Sequence, residues 1–179
     1  MATSATLVLG GARSGKSRFA ENLVTRSGLP RTYVATSAAH DSEMADRIAA
    51  HKLQRGADWS TLEEQTDLVG VLTHAARPDG AVLVDCLTLW LSNLMMAELD
   101  LAAETTRLCA VIPKLEGPCV FVSNEVGMGI VPDNRMSRDF RDAQGRLNQQ
   151  IAGVCGQVVF VAAGLPLLLK PIQRPEITL

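Results

Sequence analysis

The chain carries no excess of positive charge: 17 Lys and Arg stand against 19 Asp and Glu, a formal net charge of −2. A basic surplus or stripe is the usual footprint of a nucleic-acid or membrane-surface protein, so the balance points instead to a small ligand. Cysteine is scarce as well. Cys86, Cys109, Cys119 and Cys155 stand far apart, with no CxxC pair and no neighbouring histidine cluster. That spacing speaks against zinc and thioredoxin-like chemistry and reads as buried thiols. Long apolar runs are missing too. The longest, Val158 to Leu169, is interrupted by Gly164 and Pro166, and falls short of the roughly 18–20 residues that cross a bilayer. Met1 to Ser4 offers no basic stretch ahead of the first apolar segment, so no secretory signal is expected and a cytoplasmic location is. The chain has no repeat, low-complexity tract or linker.

What it has is apolar mass: 47% of its 179 residues are hydrophobic. A chain of this length buries roughly 70% of its unfolded surface without staples, which predicts one domain over residues 1–179 and argues against disorder. Short apolar runs recur at Thr6 to Leu9, Thr32 to Ala35, Ala81 to Val84, Cys119 to Ser123 and Gln157 to Ala162. Each reads as a strand buried on both faces. Between them lie helical stretches, Lys16 to Ser27, Ser42 to Arg55, Thr88 to Leu99, Leu101 to Leu115 and Ser137 to Val154, long enough to cross back over a sheet. The alternation predicts an α/β fold with a mainly parallel sheet. Gly28 is placed to end the first helix, and Asp41 or Ser42 to cap the second. Pro78-Asp79-Gly80 reads as a turn, Gly127 to Asn134 as an irregular loop, and Pro171 to Leu179 as a tail that is loose or packed on a neighbour.

Gly10-Gly11-Ala12-Arg13-Ser14-Gly15-Lys16-Ser17 fits GxxxxGK[ST] between an opening strand and an amphipathic helix. The glycines let successive amides point into one concavity, to which the helix N-terminus adds partial positive charge. Lys16 then neutralises β- and γ-phosphates and Ser17 ligates Mg²⁺. Asp85 follows an apolar run, where ligands gather in a parallel sheet, and is a second candidate for the metal. Read alone, it serves equally well as a cap for the helix that follows.

Arg47, His51 and Arg55 fall at i−4, i and i+4 of one predicted helix, with Lys52 beside them. Flanking cations favour the neutral imidazole, which has a nucleophilic lone pair, and can also hold phosphate oxygens. Such a stripe suits nucleotidyl transfer to histidine. Met44 and Ile48 share part of that face, so spacing alone leaves open a packed, inert histidine. His40 and His74 lack a basic setting and read as loop or helix-end residues.

The 10–17 loop, Ala35-Thr36-Ser37, the Glu43 to Arg55 segment with Arg47-Ile48 and His51-Lys52, Trp59, the Asn124 to Pro132 run, and Phe140-Arg141-Asp142 with Gly145 and Asn148-Gln149 resemble one enzyme family. It is the bifunctional adenosylcobinamide kinase/adenosylcobinamide-phosphate guanylyltransferase family, and the likeness extends to about Lys170. The resemblance implies a P-loop NTPase-like (RecA-like) three-layer fold with a mainly parallel central sheet. It implies phosphorylation of adenosylcobinamide by ATP or GTP, then transfer of GMP from GTP to adenosylcobinamide-phosphate through a guanylyl-His51 intermediate. The products are adenosylcobinamide-GDP and pyrophosphate. It further implies nucleotide contacts from Gly10, Gly11, Ala12, Arg13, Ser14, Gly15, Lys16 and Ser17, from Ala35, Thr36 and Ser37, from Lys52, Leu53, Gln54 and Arg55, and from Glu63 and Asp85. A homotrimer is expected on the same ground; the loop reading adds Mg²⁺ at Ser17 and Asp85, and the charge balance predicts no nucleic-acid partner. Two departures from some relatives stand out: Ala50 fills a place where a second histidine occurs, and Asp85 replaces a longer Glu. The Asn124 to Pro132 run lines the corrinoid or nucleotide entrance, or packs between subunits.

Two other readings fit the residues alone: a P-loop kinase without guanylyl transfer, and a nucleotide-binding module that switches shape without covalent chemistry.

Overall fold

The computed structural model describes residues 4–37 and 58–171. The expected helix Ser42 to Arg55 with its Arg47, His51 and Arg55 stripe, His40, and all but the first residue of the tail lie outside the described residues.

The strands are β1 (Ala5–Gly10), β2 (Arg31–Ala35), β3 (Trp59–Glu63), β4 (Ala81–Asp85), β5 (Cys119–Asn124), β6 (Gln157–Ala162) and β7 (Leu165–Lys170). The helices are α1 (Lys16–Arg26), α2 (Leu68–Ala75), α3 (Leu87–Met96), α4 (Leu101–Val111) and α5 (Arg135–Val154), with a 3₁₀ turn at Ile112–Lys114. One seven-stranded sheet runs in the order β3-β2-β4-β5-β1-β6-β7. All its pairings are parallel except that of β6 with β7.

Every residue of β1 is buried, because β1 lies between β5 and β6 with side chains packed on both faces. On one face Leu7, Leu9, Val34, Val84 and Phe121 meet Leu68, Leu72, Trp90, Leu94, Leu108 and Leu147 from α2, α3, α4 and α5. On the other, Val8, Tyr33, Ala35, Leu83 and Val122 meet Ala20 and Val24 of α1. Sheet and helices thus form three layers, and the apolar runs Thr6 to Leu9, Thr32 to Ala35, Ala81 to Val84, Cys119 to Ser123 and Gln157 to Ala162 are strands as expected.

Two strands and one helix add to that expectation. β3 is a sheet edge whose residues, Trp-Ser-Thr-Leu-Glu, are mostly exposed, so it lacks the continuous apolar signature of a central strand. β7 is the second half of the Val158 to Leu169 run. Ala163 and Gly164, with φ 51° and 77°, fold that run into a hairpin through a two-residue turn of the kind that matches strand twist. α2 is short and is capped by Asp67, whose carboxylate accepts the Gly70 amide. Of the expected helices, Leu101 to Leu115 stops at Val111 and tightens into the 3₁₀ turn around Pro113, and Thr88 to Leu99 stops at Met96, with Glu98 at φ 54°. Gly28, at φ 71°, follows α1 as expected.

Candidate active site at the carboxyl edge of the sheet

β1 delivers the chain at Gly10 into a loop that closes onto α1 at Lys16. The loop is tight enough to dictate residue type. A Cβ on Gly10 would come within 2.5 Å of Ser14 Oγ and 2.6 Å of the Val161 carbonyl, and Gly15 adopts φ 91°, a left-handed conformation suited to glycine. The Ser14 amide donates to the Gly11 carbonyl at 3.3 Å, and Lys16 Nζ donates to the same carbonyl at 3.2 Å, so the ammonium lies folded over the loop. No acidic residue stands in the first turn of α1, which leaves the positive end of the helix dipole uncompensated for an anion. Ser14 Oγ is buried without a hydrogen-bond partner, an oxygen that a phosphate could satisfy. Ser17 sits half-buried one residue beyond Lys16, and Ala12 and Arg13 are exposed at the loop tip.

The loop has a buttress that sequence reasoning did not find. The Gly164 amide, in the β6–β7 turn, donates to the Ser14 carbonyl at 2.8 Å. No local signal announces this contact, because it joins residues 150 apart in the chain.

Asp85 ends β4, and its Oδ2 accepts from Tyr33 Oη at 3.1 Å. Tyr33 and Ala35 alternate along β2 onto the same face as α1. Thr36 is fully buried, and its hydroxyl donates to the Cys86 carbonyl while accepting the Cys86 amide, both at 2.8 Å. The Thr36 carbonyl in turn accepts from Asn93 Nδ2 of α3 at 2.7 Å. Thr36 therefore clamps the backbone next to Asp85, with both capacities of its hydroxyl already used. Ala35 pairs with Asp85 on one side and Glu63 on the other, so the two carboxylates leave the sheet in one row, about 10 Å apart at the backbone. Ser37 is half-buried just beyond.

The phosphate loop and Asp85 belong to one neighbourhood. The Cys86 thiol is pushed up to about 11 by burial first and by the Asp85 charge second, and the Lys16 cation opposes that rise. Cys86 is accordingly a neutral thiol that caps α3, its sulfur accepting the Leu89 amide at 3.5 Å. Beside it, Thr88 Oγ1 accepts the Asn124 amide at 2.8 Å and the Glu125 amide donates to the Gly10 carbonyl at 3.1 Å. The carboxyl ends of β1, β4 and β5 are thereby tied together.

The description "Cobinamide kinase / cobinamide phosphate guanyltransferase" matches residues 6–169. The chain belongs to this family. It is 48% identical over 166 residues to a bifunctional adenosylcobalamin biosynthesis protein, CobP, of Pseudomonas aeruginosa, with 92% of this chain and 96% of the relative covered. It is 42% identical over 180 residues to the bifunctional adenosylcobalamin biosynthesis protein CobU of Salmonella typhimurium, covering 92% and 98%. Membership makes the chain a bifunctional enzyme, a cobinamide kinase and cobinamide-phosphate guanylyltransferase.

Among solved structures, a Pyrococcus horikoshii OT3 protein aligns at a TM-score of 0.58 with 10% identity, over 97% of this chain and 89% of that one. The flagellar accessory protein FlaH of Methanocaldococcus jannaschii aligns at 0.53 with 13% identity, over 95% and 80%. These likenesses concern the fold, an α/β P-loop NTPase-like (RecA-like) three-layer architecture. In this enzyme, β5 lies between the Asp85 strand and the phosphate-loop strand. Of the nucleotide contacts expected from sequence, Gly10 to Ser17, Ala35 to Ser37, Glu63 and Asp85 lie at the carboxyl ends of β1, β2, β3 and β4. His51, Lys52, Leu53, Gln54 and Arg55 lie outside the described residues.

Proposed function

We propose that this enzyme phosphorylates adenosylcobinamide with ATP or GTP at the phosphate loop and then moves GMP from GTP onto adenosylcobinamide-phosphate by way of His51. The observation that carries the reading is the joining, in a chain of this family, of the Lys16 loop to Asp85 along one sheet edge. In the first reaction the loop amides and Lys16 hold the triphosphate and offset charge as the γ-phosphoryl passes to the corrinoid hydroxyl. Ser17 and Asp85 are hard oxygen donors that would hold Mg²⁺, which would supply positive charge against the triphosphate.

In the second reaction the neutral imidazole of His51 attacks the α-phosphorus of GTP. A P–N bond forms, the bond to the β-phosphate oxygen breaks, and pyrophosphate leaves with the electron pair while the ring gives up its proton. A phosphate oxygen of adenosylcobinamide-phosphate then attacks the same phosphorus, the P–N bond breaks, and the imidazole is reprotonated. Arg47 and Arg55, four residues to either side of His51 in the sequence, supply cations for that exchange. A homotrimer located in the cytoplasm completes the proposal.

Mass spectrometry of the protein after GTP exposure tests it. The expected result is a GMP adduct at His51, labile to acid and absent from His51→Ala; an unmodified wild-type protein would rule out the covalent route. Lys16→Ala should abolish phosphoryl transfer to adenosylcobinamide, and retention of normal turnover would refute the loop assignment.

A further inference from the structure

The kinase reaction requires the hydroxyl of a large corrinoid to reach the phosphate loop, and the following inference rests on that reading. Two helices leave the carboxyl edge near the loop. α3 starts at Leu87, two residues after Asp85, and the segment leading into α5 starts at Glu125, whose amide is bonded to Gly10. Between the last turn of α3 and the first turn of α5 lies a cavity of about 300 Å³, lined by Ser92, Met95, Met96, Met136, Ser137 and Phe140. No lining residue is charged. Met96 and Met136 are 70% and 72% exposed, and the segment between β5 and α5 turns Met128 and Ile130 out to solvent at 80% and 97%.

That segment is fastened. The Gly127 amide donates to Glu125 Oε1, Asn134 Oδ1 accepts the Ser137 amide, and Arg138 Nη1 donates to the Pro132 and Asp133 carbonyls at 2.9 and 2.8 Å. Apolar side chains held outward on a segment that starts at the Gly10-bonded Glu125 add nothing to the protein's own burial, which marks them as a contact surface.

We infer that this groove, with Met128 and Ile130, receives the corrin ring of the cobinamide substrate. The periphery of a corrin carries methyl groups and uncharged carboxamides. Thioethers and the Phe140 ring provide an adaptable apolar floor for the methyls, and the Ser92 and Ser137 hydroxyls can donate to or accept from the amides. A nucleotide, by contrast, would find no counter-charge there. Met95 lies eight residues along α3 from Leu87, about 12 Å at 1.5 Å per residue, which leaves the hydroxyl on its flexible side arm to bridge back to the phosphate loop. The larger groove between α5 and β6–β7, about 750 Å³, serves less well. It reaches Leu9 and Glu125 beside the loop, but it is lined by the charged Glu125 and Lys170 and by the polar Asn148 and Gln149, and it descends to Val158, near the amino end of β6.

Equilibrium dialysis with adenosylcobinamide, read by corrin absorbance, tests the assignment on wild-type enzyme, Ile130→Asp, Met96→Glu/Met136→Glu and Ala152→Trp. Nucleotide affinity and sedimentation are measured alongside. The expected result is at least about tenfold weaker corrinoid binding in the first two variants, the loss of roughly one buried side chain, with GTP affinity and oligomeric state unchanged and Ala152→Trp like wild type. Wild-type affinity in the first two variants, or weakening confined to Ala152→Trp, would place the corrinoid elsewhere. Lost binding that accompanies altered sedimentation would assign the groove to contact between copies of the chain and overturn the proposal. Failure of the wild-type enzyme to bind adenosylcobinamide would overturn the kinase reading itself, and this inference with it.

Discussion

Tyr33 and Thr36 hold the Asp85 region from two directions, one through the carboxylate and one through the next peptide. Neither is announced by a motif, since each acts across a strand boundary on a residue some 50 positions away. A net hydrogen bond is worth about 0.5–1.5 kcal/mol, or roughly two- to tenfold in an equilibrium. Tyr33→Phe should therefore raise the half-saturating Mg²⁺ concentration of the kinase reaction severalfold and leave the KM for adenosylcobinamide in place; an unchanged Mg²⁺ requirement would remove Tyr33 from the positioning role. Thr36→Val should be harsher. It strands the buried Cys86 amide, at a cost of roughly 1–3 kcal/mol, while the Cys86 carbonyl keeps the Trp90 amide at 3.1 Å. Gly10 shows the opposite case, a residue whose importance is readable from the motif, while the reason, the close approach of Ser14 Oγ and the Val161 carbonyl, is tertiary.

α5 shows how an element is aimed at the site. Its hydrophobic face packs through Leu147 and Ile151, but its position is set by a buried polar cluster. Ser123 Oγ donates to Asn148 Oδ1 at 2.7 Å, Gln144 Nε2 donates to Ser123 Oγ and Asn148 Oδ1, and Asn148 Nδ2 donates to the Asn124 carbonyl at 3.0 Å. Asn124 pairs with Gly10 in the β1–β5 register, so α5 is bolted to the strand beside the phosphate loop. Asn148→Ala should cost roughly 1–3 kcal/mol in urea unfolding because it leaves buried partners unpaired, whereas its exposed neighbour Gln149→Ala should stay within about 0.5 kcal/mol. Equal effects would mean the cluster contributes no specific stability. Among the strands, those expected from sequence proved to be β1, β2, β4, β5 and β6, whose apolar runs are long because both faces are covered. β3 and β7 escaped notice because edge strands need no such pattern, and β7 shares one apolar run with its hairpin partner.

For the molecule as a whole, the thiols make a pH-dependent contribution. Burial holds Cys86 at about 11 and Cys119 and Cys155 at about 12, above the ordinary 9.0 of a thiol. Below pH 9 folded and unfolded chains alike keep these protons, so their stability is fully present. Above it the unfolded chain ionises first, and stability falls until the folded thiols also ionise near pH 11–12. Melting temperature should drop across that window, and Cys119→Ala/Cys155→Ala should flatten the drop relative to its own value at pH 7; an identical alkaline slope would exclude the thiols as its source.

The alternation of apolar runs with helical stretches and the GxxxxGK[ST] loop were encoded locally, because backbone periodicity and turn chemistry are properties of neighbouring residues. Which strands became edges, that Gly164 props Ser14, that Thr36 grips Cys86, and that α3 and α5 enclose an uncharged groove were settled only when distant segments met. Hydrogen bonds and burial between such segments depend on the order in which strands assemble, and no short window of residues contains that order.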